Sequence, residues 1–365
     1  MTDLDVVGIP VFHSVRPGAA PGLNTVTSGK GVTAQAARVS AMMEAIERTW
    51  CEPRSEGSHQ ASYAELRRDQ AQALDPRRLI LRRGHTWTED EPITWWPVRE
   101  LLTDIEVLVP ALAVFTPFRA EHGMFRSNTI GLAVGNSPQE ALLHGLLEVI
   151  EHDCTAFGET LRRGNKIREA SLPEVPAGLV ERFQRAGVDV QLFAYTSEIG
   201  VPTMFATTED TGARDGMLIN GGAGCHLDPV MAVTRALTEA AQSRLSVIAG
   251  AREDLGRQAY RRQASYEAMK EMFQTWSTGR PEADFGDVPA QSTGTTTGDL
   301  ARVLAGLQQA RLSLALALEL APADLPFSIT KVIVPGLEVH HQDRARLGTR
   351  LYREMVRAGL ARPLA

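Results

Sequence analysis

The sequence is poor in cysteine, in long apolar runs and in basic charge. Cys51, Cys154 and Cys225 are its three cysteines, far apart and odd in number. No CxxC pair is present, so no zinc or dithiol site is offered, and reduced thiols in a cytoplasmic protein are expected. No apolar stretch approaches the ~20 residues needed to span a bilayer. Met1-Thr2-Asp3-Leu4-Asp5 carries acid where a signal peptide needs a basic stretch. The net charge of −6 argues against a general nucleic-acid binder or a partner of acidic membranes. A GxxxxGK[ST] segment is missing, which excludes a P-loop. No Ser/Gly- or Pro-rich linker divides the chain, and 43% apolar residues suffice for a sizeable core. One domain over residues 1–365 is the expectation.

What is present is a repeat. Ala37-x-x-Ser40-Ala41-x-x-Glu44-x-x-Glu47 recurs as Ala141-x-x-His144-Gly145-x-x-Glu148-x-x-Glu151. It recurs again as Ala232-x-x-Arg235-Ala236-x-x-Glu239-x-x-Gln242. Each copy follows a glycine-containing segment that reads as a turn: Ser28 to Gly31, Gly131 to Gly135, and Gly221 to Gly224. Asn136-Ser137-Pro138 and Asp228-Pro229 read as an N-cap followed by a helix start.

At 3.6 residues per turn, positions i, i+4 and i+7 share one stripe of a helix. The three stripes are Ser40/Glu44/Glu47, His144/Glu148/Glu151 and Arg235/Glu239/Gln242. Beside the first runs an apolar stripe of Val39, Met43, Ile46 and Trp50. The other two helices are apolar around most of their circumference.

A lone Glu on a helix faces water, because Glu is almost never buried without a partner. Here one polar stripe recurs three times on helices apolar enough to be buried. Small residues flank it at Ala37, Ala41, Ala141, Gly145, Ala232 and Ala236, which permits close approach of a ligand or another helix. Carboxylates converging in a core repel one another unless cations neutralise them. Hard oxygen ligands select Mg2+, which keeps waters and bridges to a substrate phosphate. The three acidic stripes are therefore expected to form one metal site.

These residues resemble the signatures of the YcaO family. Ser28-Gly29-Lys30-Gly31 followed by Ser40 to Arg48 is similar to the first signature, and Ser127 to Glu151 to the second. Cys225-His226-Leu227-Asp228-Pro229, with Gln242-Ser243-Arg244 and Gly250 to Asp254, resembles the third. Gly8-Ile9-Pro10-Val11 with Val15-Arg16-Pro17 fits the entry strand, and Val334-Pro335-Gly336-Leu337-Glu338 the closing segment. The resemblance implies an ATP site in which helix-borne acids hold magnesium. By position, Glu44, Glu47, Glu148, Glu151 and Glu239 are the implied metal ligands. Arg16, Lys30, Ser40, Arg235, Gln242 and Arg252 are the implied nucleotide contacts. Glu44, Glu148 and Arg235 carry the implied catalytic role, since phosphoryl transfer needs metals between phosphates and cations on the developing charge.

Two departures stand out. Glu151-His152-Asp153 replaces the family's Glu-Arg-Asp, and a His cannot reproduce an Arg fork. The chain also ends with a single proline, Pro363, where azoline-forming members often carry a proline-rich tail, and no fused partner domain is evident.

The remaining pattern is α/β (α+β), with β-sheet layers inside and packed helices outside. Strands are expected at Ile105–Val109, Val188–Tyr195, Pro202–Thr208, Met217–Ile219 and Ser328–Val334. Helices are expected at Leu179–Arg185, Tyr266–Gln274 and Leu300–Gln309. Trp95-Trp96-Pro97 reads as an edge strand packed on the core, Cys225 as a small core or turn residue, and His340-His341 as a surface pair.

The resemblance implies an ATP- and Mg2+-dependent enzyme that phosphorylates backbone amide oxygens of a ribosomally made precursor peptide. Sulfide would then give a thioamide, with help from a TfuA-like accessory protein. A neighbouring Cys, Ser or Thr would instead give an azoline, as in a cyclodehydratase. A non-catalytic nucleotide-binding partner protein and a dinuclear metal hydrolase are the rival classes. The first would not need the acids, and the second lacks the His-rich ligands such sites carry. A cytoplasmic homodimer is expected, with no nucleic acid and no membrane among its partners.

Overall fold

The computed structural model describes residues 1–119, 121–250 and 265–363, in which strands and helices are mixed along the chain. In chain order the elements begin with β1 (Val11–Val15), β2 (Val26–Lys30), α1 (Ala34–Trp50), β3 (His59–Ser62), α2 (Tyr63–Arg68), β4 (Pro92–Glu100), β5 (Glu106–Pro110) and β6 (Leu132–Gly135). There follow α3 (Pro138–Leu161), β7 (Asn165–Ile167), α4 (Glu174–Arg185), β8 (Val188–Thr196), β9 (Pro202–Asp210), β10 (Asn220–Cys225) and α5 (Pro229–Ala249). Last come α6 (Tyr266–Ser277), β11 (Glu282–Ala283), α7 (Thr296–Gln309), β12 (Leu316–Glu319), β13 (Ser328–Ile333) and α8 (Thr349–Arg357). The α/β class read from the sequence is what forms. Cap chemistry sets the starts as expected: the Asp228 side chain accepts from Val230 N at 2.8 Å and Pro229 opens α5.

The chain folds into two compact units, each discontinuous in sequence. The first comprises residues 1–19, 24–46 and 162–292, the second residues 20–23, 47–161 and 293–365. In the first unit, β10-β9-β8-β7-β11 form a sheet and β1-β2 a hairpin. Side chains alternate along a strand, so Val188, Val190 and Leu192 of β8 share a face with Met204 and Ala206 of β9. Leu179, Val180 and Phe183 of α4 and Val233 and Leu237 of α5 pack on that face. Each such buried side chain contributes about 1.5–3 kcal/mol.

In the second unit the sheet order is β3-β4-β12-β13-β6, with β5 also on β4. Helix α3 packs on β6 and β13, and α7 and α8 pack on α3. Trp95 and Trp96 are core residues, as expected, but β4 is not an edge strand: it pairs with β3, β5 and β12. Pro97 is tolerated because it pairs with Leu108 of β5 on one side only. On the other it falls between the β3 pairing, which stops at Trp95, and the β12 pairing, which starts at Arg99.

The three glycine segments are strands or run into strands, where turns were expected. Gly29 lies in β2, Gly135 closes β6, and Gly222 and Gly224 lie in β10. A Cβ on Gly29 would stand 1.9 Å from Ala41 N, and one on Gly135 would stand 2.4 Å from Ala141 N. On Gly222 it would meet Ala236 O at 2.3 Å, and on Gly224 Ala232 O at 2.1 Å. Each repeat is therefore a strand laid directly on the backbone of the helix that follows it. The small helix residues admit this strand, not a ligand or a second helix. Gly145 differs, since its missing side chain makes room for Val332 of β13.

Two further expectations are corrected. Residues Gly216–Leu218 form a 3-10 turn, and the strand follows at β10, because the Asp215 side chain caps that turn by accepting from Met217 N. On α1 the buried stripe is Ala37, Ala41 and Ala45, while Val39 is 52% exposed. Contact with β2 selects the small face of that helix.

Candidate functional site

Each polar stripe is withdrawn from solvent on its own helix. Ser40, Glu44 and Glu47 are half-buried on α1, as are His144 and Glu148 on α3 and Arg235, Glu239 and Gln242 on α5. Glu151 is buried. The strand-on-helix packing produces this, because it turns the small stripe inward and leaves the polar one beside it.

Within the first unit the structure joins the first and third repeats. Lys30 of β2 forms an ion pair with Glu239 of α5. The Gln242 side chain donates to Ser28 O at 2.6 Å, and Ala223 N donates to Glu239 at 3.4 Å. Burial opposes ionisation of Glu239, but Lys30, the Ala223 N–H and Arg235 outweigh it and hold the carboxyl below the usual range. Arg16 is half-buried beyond β1, its backbone N donating to Thr25 O at 2.7 Å. Arg252 lies outside the described residues. Arg244 of the third signature does something else: it is buried and ion-paired with Asp5 and Asp210, both at 3.0 Å.

Within the second unit lie Glu47, Glu148 and Glu151, together with Lys331, which the sequence reading missed. Lys331 sits on β13 with 2% exposure and donates to Ile130 O at 2.7 Å and Asn128 O at 3.1 Å. Burial pulls its pKa down to about 8, against the opposing pull of Glu148. A lysine inside the apolar run Ser328 to Val334 was the signal available for it.

His152, where the resemblance implies an Arg, stacks on His341 with ring centroids 4.8 Å apart. Its Nδ1 is 2.8 Å from His341 Nε2, and its Nε2 is 3.8 Å from Glu148 Oε1. The expected surface pair is thereby corrected. His341 packs on α3, and burial drives its pKa down to about 2, whereas His340 turns to Arg346 O at 3.0 Å. Cys225 is buried at the end of β10, a small core residue as expected.

Among the described residues no three His, Cys, Asp or Glu side chains are gathered as a metal cage. Magnesium commonly takes one or two carboxylates and completes its shell with waters and substrate phosphates. Half-buried carboxylates accompanied by lysines suit that mode, and a closed cage is not required.

The family model described as YcaO cyclodehydratase, ATP- and Mg2+-binding, matches residues 28–338. The chain belongs to the YcaO family. An uncharacterized protein of Methanothermobacter thermautotrophicus is 41% identical, over 96% of this chain and 91% of its own length. An uncharacterized protein in the tfuA 3′ region of Rhizobium leguminosarum bv. trifolii is 33% identical, over 93% of this chain and 82% of its own. The YcaO of Methanopyrus kandleri, solved with AMPPCP and Mg2+, aligns with a TM-score of 0.76 at 26% identity. That alignment covers 95% of this chain and 90% of the other. The fold, the YcaO membership and the ATP and Mg2+ cofactors expected from the sequence are thus in place.

Proposed function

We propose that this YcaO protein uses ATP to phosphorylate backbone amide oxygens of a ribosomally made peptide, and that the product is a thioamide. The observation that carries the amide-activation reading is the ion pair of Lys30 with Glu239, supported by Ala223 N. It keeps a half-buried carboxylate ionised beside a cation, the pairing that a metal-bridged phosphate needs.

Glu44, Glu47, Glu148, Glu151 and Glu239 are assigned as magnesium ligands. Arg16, Lys30, Ser40, Arg235, Gln242 and Arg252 are assigned as nucleotide contacts, with Glu44, Glu148 and Arg235 carrying catalysis. Bound magnesium neutralises charge that develops on the phosphates. Lys30 and Arg235 orient the γ-phosphoryl group toward the amide oxygen, which makes that oxygen a leaving group. Sulfide then forms a bond to the carbonyl carbon, and the C–O bond breaks with loss of phosphate.

The relative in the tfuA 3′ region supports the thioamide outcome and a TfuA-like accessory protein. The cyclodehydratase description of the family supports the second reading, an azoline formed by a neighbouring Cys, Ser or Thr. The two products differ in mass. Precursor peptide, ATP, magnesium, a sulfur donor and a TfuA-like partner are incubated, and the peptide is weighed. Exchange of oxygen for sulfur makes it heavier, and cyclodehydration makes it lighter by one water. Loss of water at a Cys, Ser or Thr overturns the thioamide reading. No ATP-dependent mass change with the cognate peptide counts against both and favours a non-catalytic nucleotide-binding role.

A cytoplasmic homodimer belongs to the same proposal. Val39 and Met42 on α1 are 52% and 50% exposed, apolar surface of the kind subunits cover. No described helix is long and apolar enough to cross a membrane. Sedimentation of a stable monomer at micromolar concentration excludes the dimer.

A further inference from the structure

The second unit contains a cavity of about 80 Å3, lined largely by β13 and the segment that follows it. Leu112, Ile130, Val149 and Leu337 give it apolar walls, and Lys331 and Arg346 add two cations to them. One water takes roughly 10–15 Å3 of such space, so the cavity has room for a small ion with part of its hydration shell.

Both cations are buried, at 2% and 7% exposure, and their side chains donate only to backbone carbonyls. Lys331 reaches Ile130 O at 2.7 Å and Asn128 O at 3.1 Å, and those two residues line the same cavity. An ammonium carries three donors, and the third meets no partner among the described residues. Arg346 reaches Ile80 O at 2.8 Å and Leu79 O at 2.5 Å, with its guanidinium 4.3 Å from the centre of the Phe125 ring. Neither cation forms an ion pair among the described residues. Asp343, three positions before Arg346, is paired with Arg82 at 3.0 Å. Glu338 is the one acid in the lining, and its oxygens accept from Gly348 N at 2.9 Å and Leu351 N at 3.2 Å. Burial pulls the pKa of Lys331 down to about 8 and that of Arg346 to about 10, so both stay charged at neutral pH.

Two positive charges against at most one negative leave the cavity wall with an excess of at least one. Buried charge without a counter-ion is costly, and one monovalent anion balances that excess. The apolar walls and the Phe125 ring select further. They offer little to sulfate or phosphate, strongly hydrated ions whose dehydration costs most. We propose that this cavity binds a small, weakly hydrated monovalent anion, which takes the third N–H of Lys331 and lies in the field of Arg346. Hydrosulfide and the heavier halides share that chemistry. Hydrosulfide is the one that the thioamide reading consumes, and that identity alone rests on that reading.

Bromide is the probe. Crystals grown in sodium bromide and measured at the bromine absorption edge should show an anomalous peak in the cavity, beside Lys331 Nζ. In solution, bromide should raise the unfolding midpoint above its value in gluconate of equal ionic strength, and the rise should saturate. Gluconate is too large for the cavity. Lys331→Met should bind bromide roughly 10- to 100-fold more weakly, the range for losing a hydrogen bond to a charged group. Ala113 is a half-buried lining residue, and Ala113→Leu narrows the cavity while keeping both cations. It should abolish the response to bromide. Anomalous peaks on the surface only, or parental bromide affinity in either variant, overturn the proposal. Should Lys331→Met fail to fold, the parent crystal and Ala113→Leu decide it.

A second measurement separates the two sources of the anion. Sodium hydrosulfide that displaces bromide, together with a raised KM for sulfide in Ala113→Leu, makes hydrosulfide the occupant. Displacement with a parental KM for sulfide makes the occupant a halide. A peptide that loses water instead of gaining sulfur defeats the thioamide reading and leaves the bromide results standing.

Discussion

Lys30 and Glu239 are ion-paired although 209 positions separate them in sequence. The pair ties the strand of the first repeat to the helix of the third, and Gln242 adds a second tie to Ser28 O at 2.6 Å. A cation assigned to phosphate and an acid assigned to magnesium thus begin as partners. On the proposed assignment, nucleotide binding would exchange that contact for one with a phosphate.

Removing the cation should expose its role. Lys30→Met leaves the half-buried Glu239 without its main counter-ion, so its carboxyl pKa should rise. Hydrogen bonds to charged groups contribute about 1.5–3 kcal/mol, so kcat/KM for ATP should fall roughly 10- to 100-fold. Steady-state kinetics of phosphate release measure this. Parental kcat/KM would show that Lys30 serves only the pair.

The acids of the helices should separate chemistry from folding. Glu44→Gln and Glu148→Gln are each expected to abolish magnesium-dependent ATP turnover while circular dichroism stays parental. Both side chains are half-buried and their shape is kept. Near-normal turnover in either folded variant would mark that stripe as structural.

The strand-on-helix contact predicts where small changes are not tolerated. Gly224→Ala would bring a Cβ to 2.1 Å from Ala232 O, which is backbone and cannot swing away. Overpacking of this kind costs about 1–3 kcal/mol or more. Gly178→Ala, where nothing lies within 4 Å of the new Cβ, should be close to neutral by comparison. Urea midpoints of the two variants test the contrast.

Glu338 makes stability depend on pH. It is 1% exposed, and burial, with Asp153 adding, raises its carboxyl pKa from the ordinary 4.5 to about 7. Gly348 N at 2.9 Å and Leu351 N at 3.2 Å, at the start of α8, oppose the rise. The folded protein therefore holds a proton that the unfolded chain releases between about pH 4.5 and 7. Stability falls as pH rises through that window and is level above it, with a difference on the order of 2–3 kcal/mol. Unfolding free energies at pH 5 and 8 should converge in Glu338→Gln relative to the parent. An unchanged difference would remove Glu338 as the cause.

The sequence by itself determined the three repeated helices, the starts of the second and third, and the stripes on which the acids lie. Local chemistry decides these: Asp228 before Pro229 starts α5 whatever surrounds it, and a 3.6-residue period puts Glu44 and Glu47 on one side. Strands such as β8 and β9 were legible for the same reason, as apolar runs bounded by turn residues. Tertiary structure alone decided the rest. Gly221 to Gly224 reads as a turn because glycine lacks strand propensity, and it becomes part of β10 only because α5 offers a backbone surface that any side chain at Gly222 or Gly224 would obstruct. Val39 looks like a core residue by periodicity, yet the close fit of β2 on Ala37 and Ala41 selects the other face. Lys331 and His341 gained their partners across long stretches of chain: His341 meets His152 from 189 positions away. No local pattern encodes such a meeting, since it is fixed by which strand pairs beside which helix.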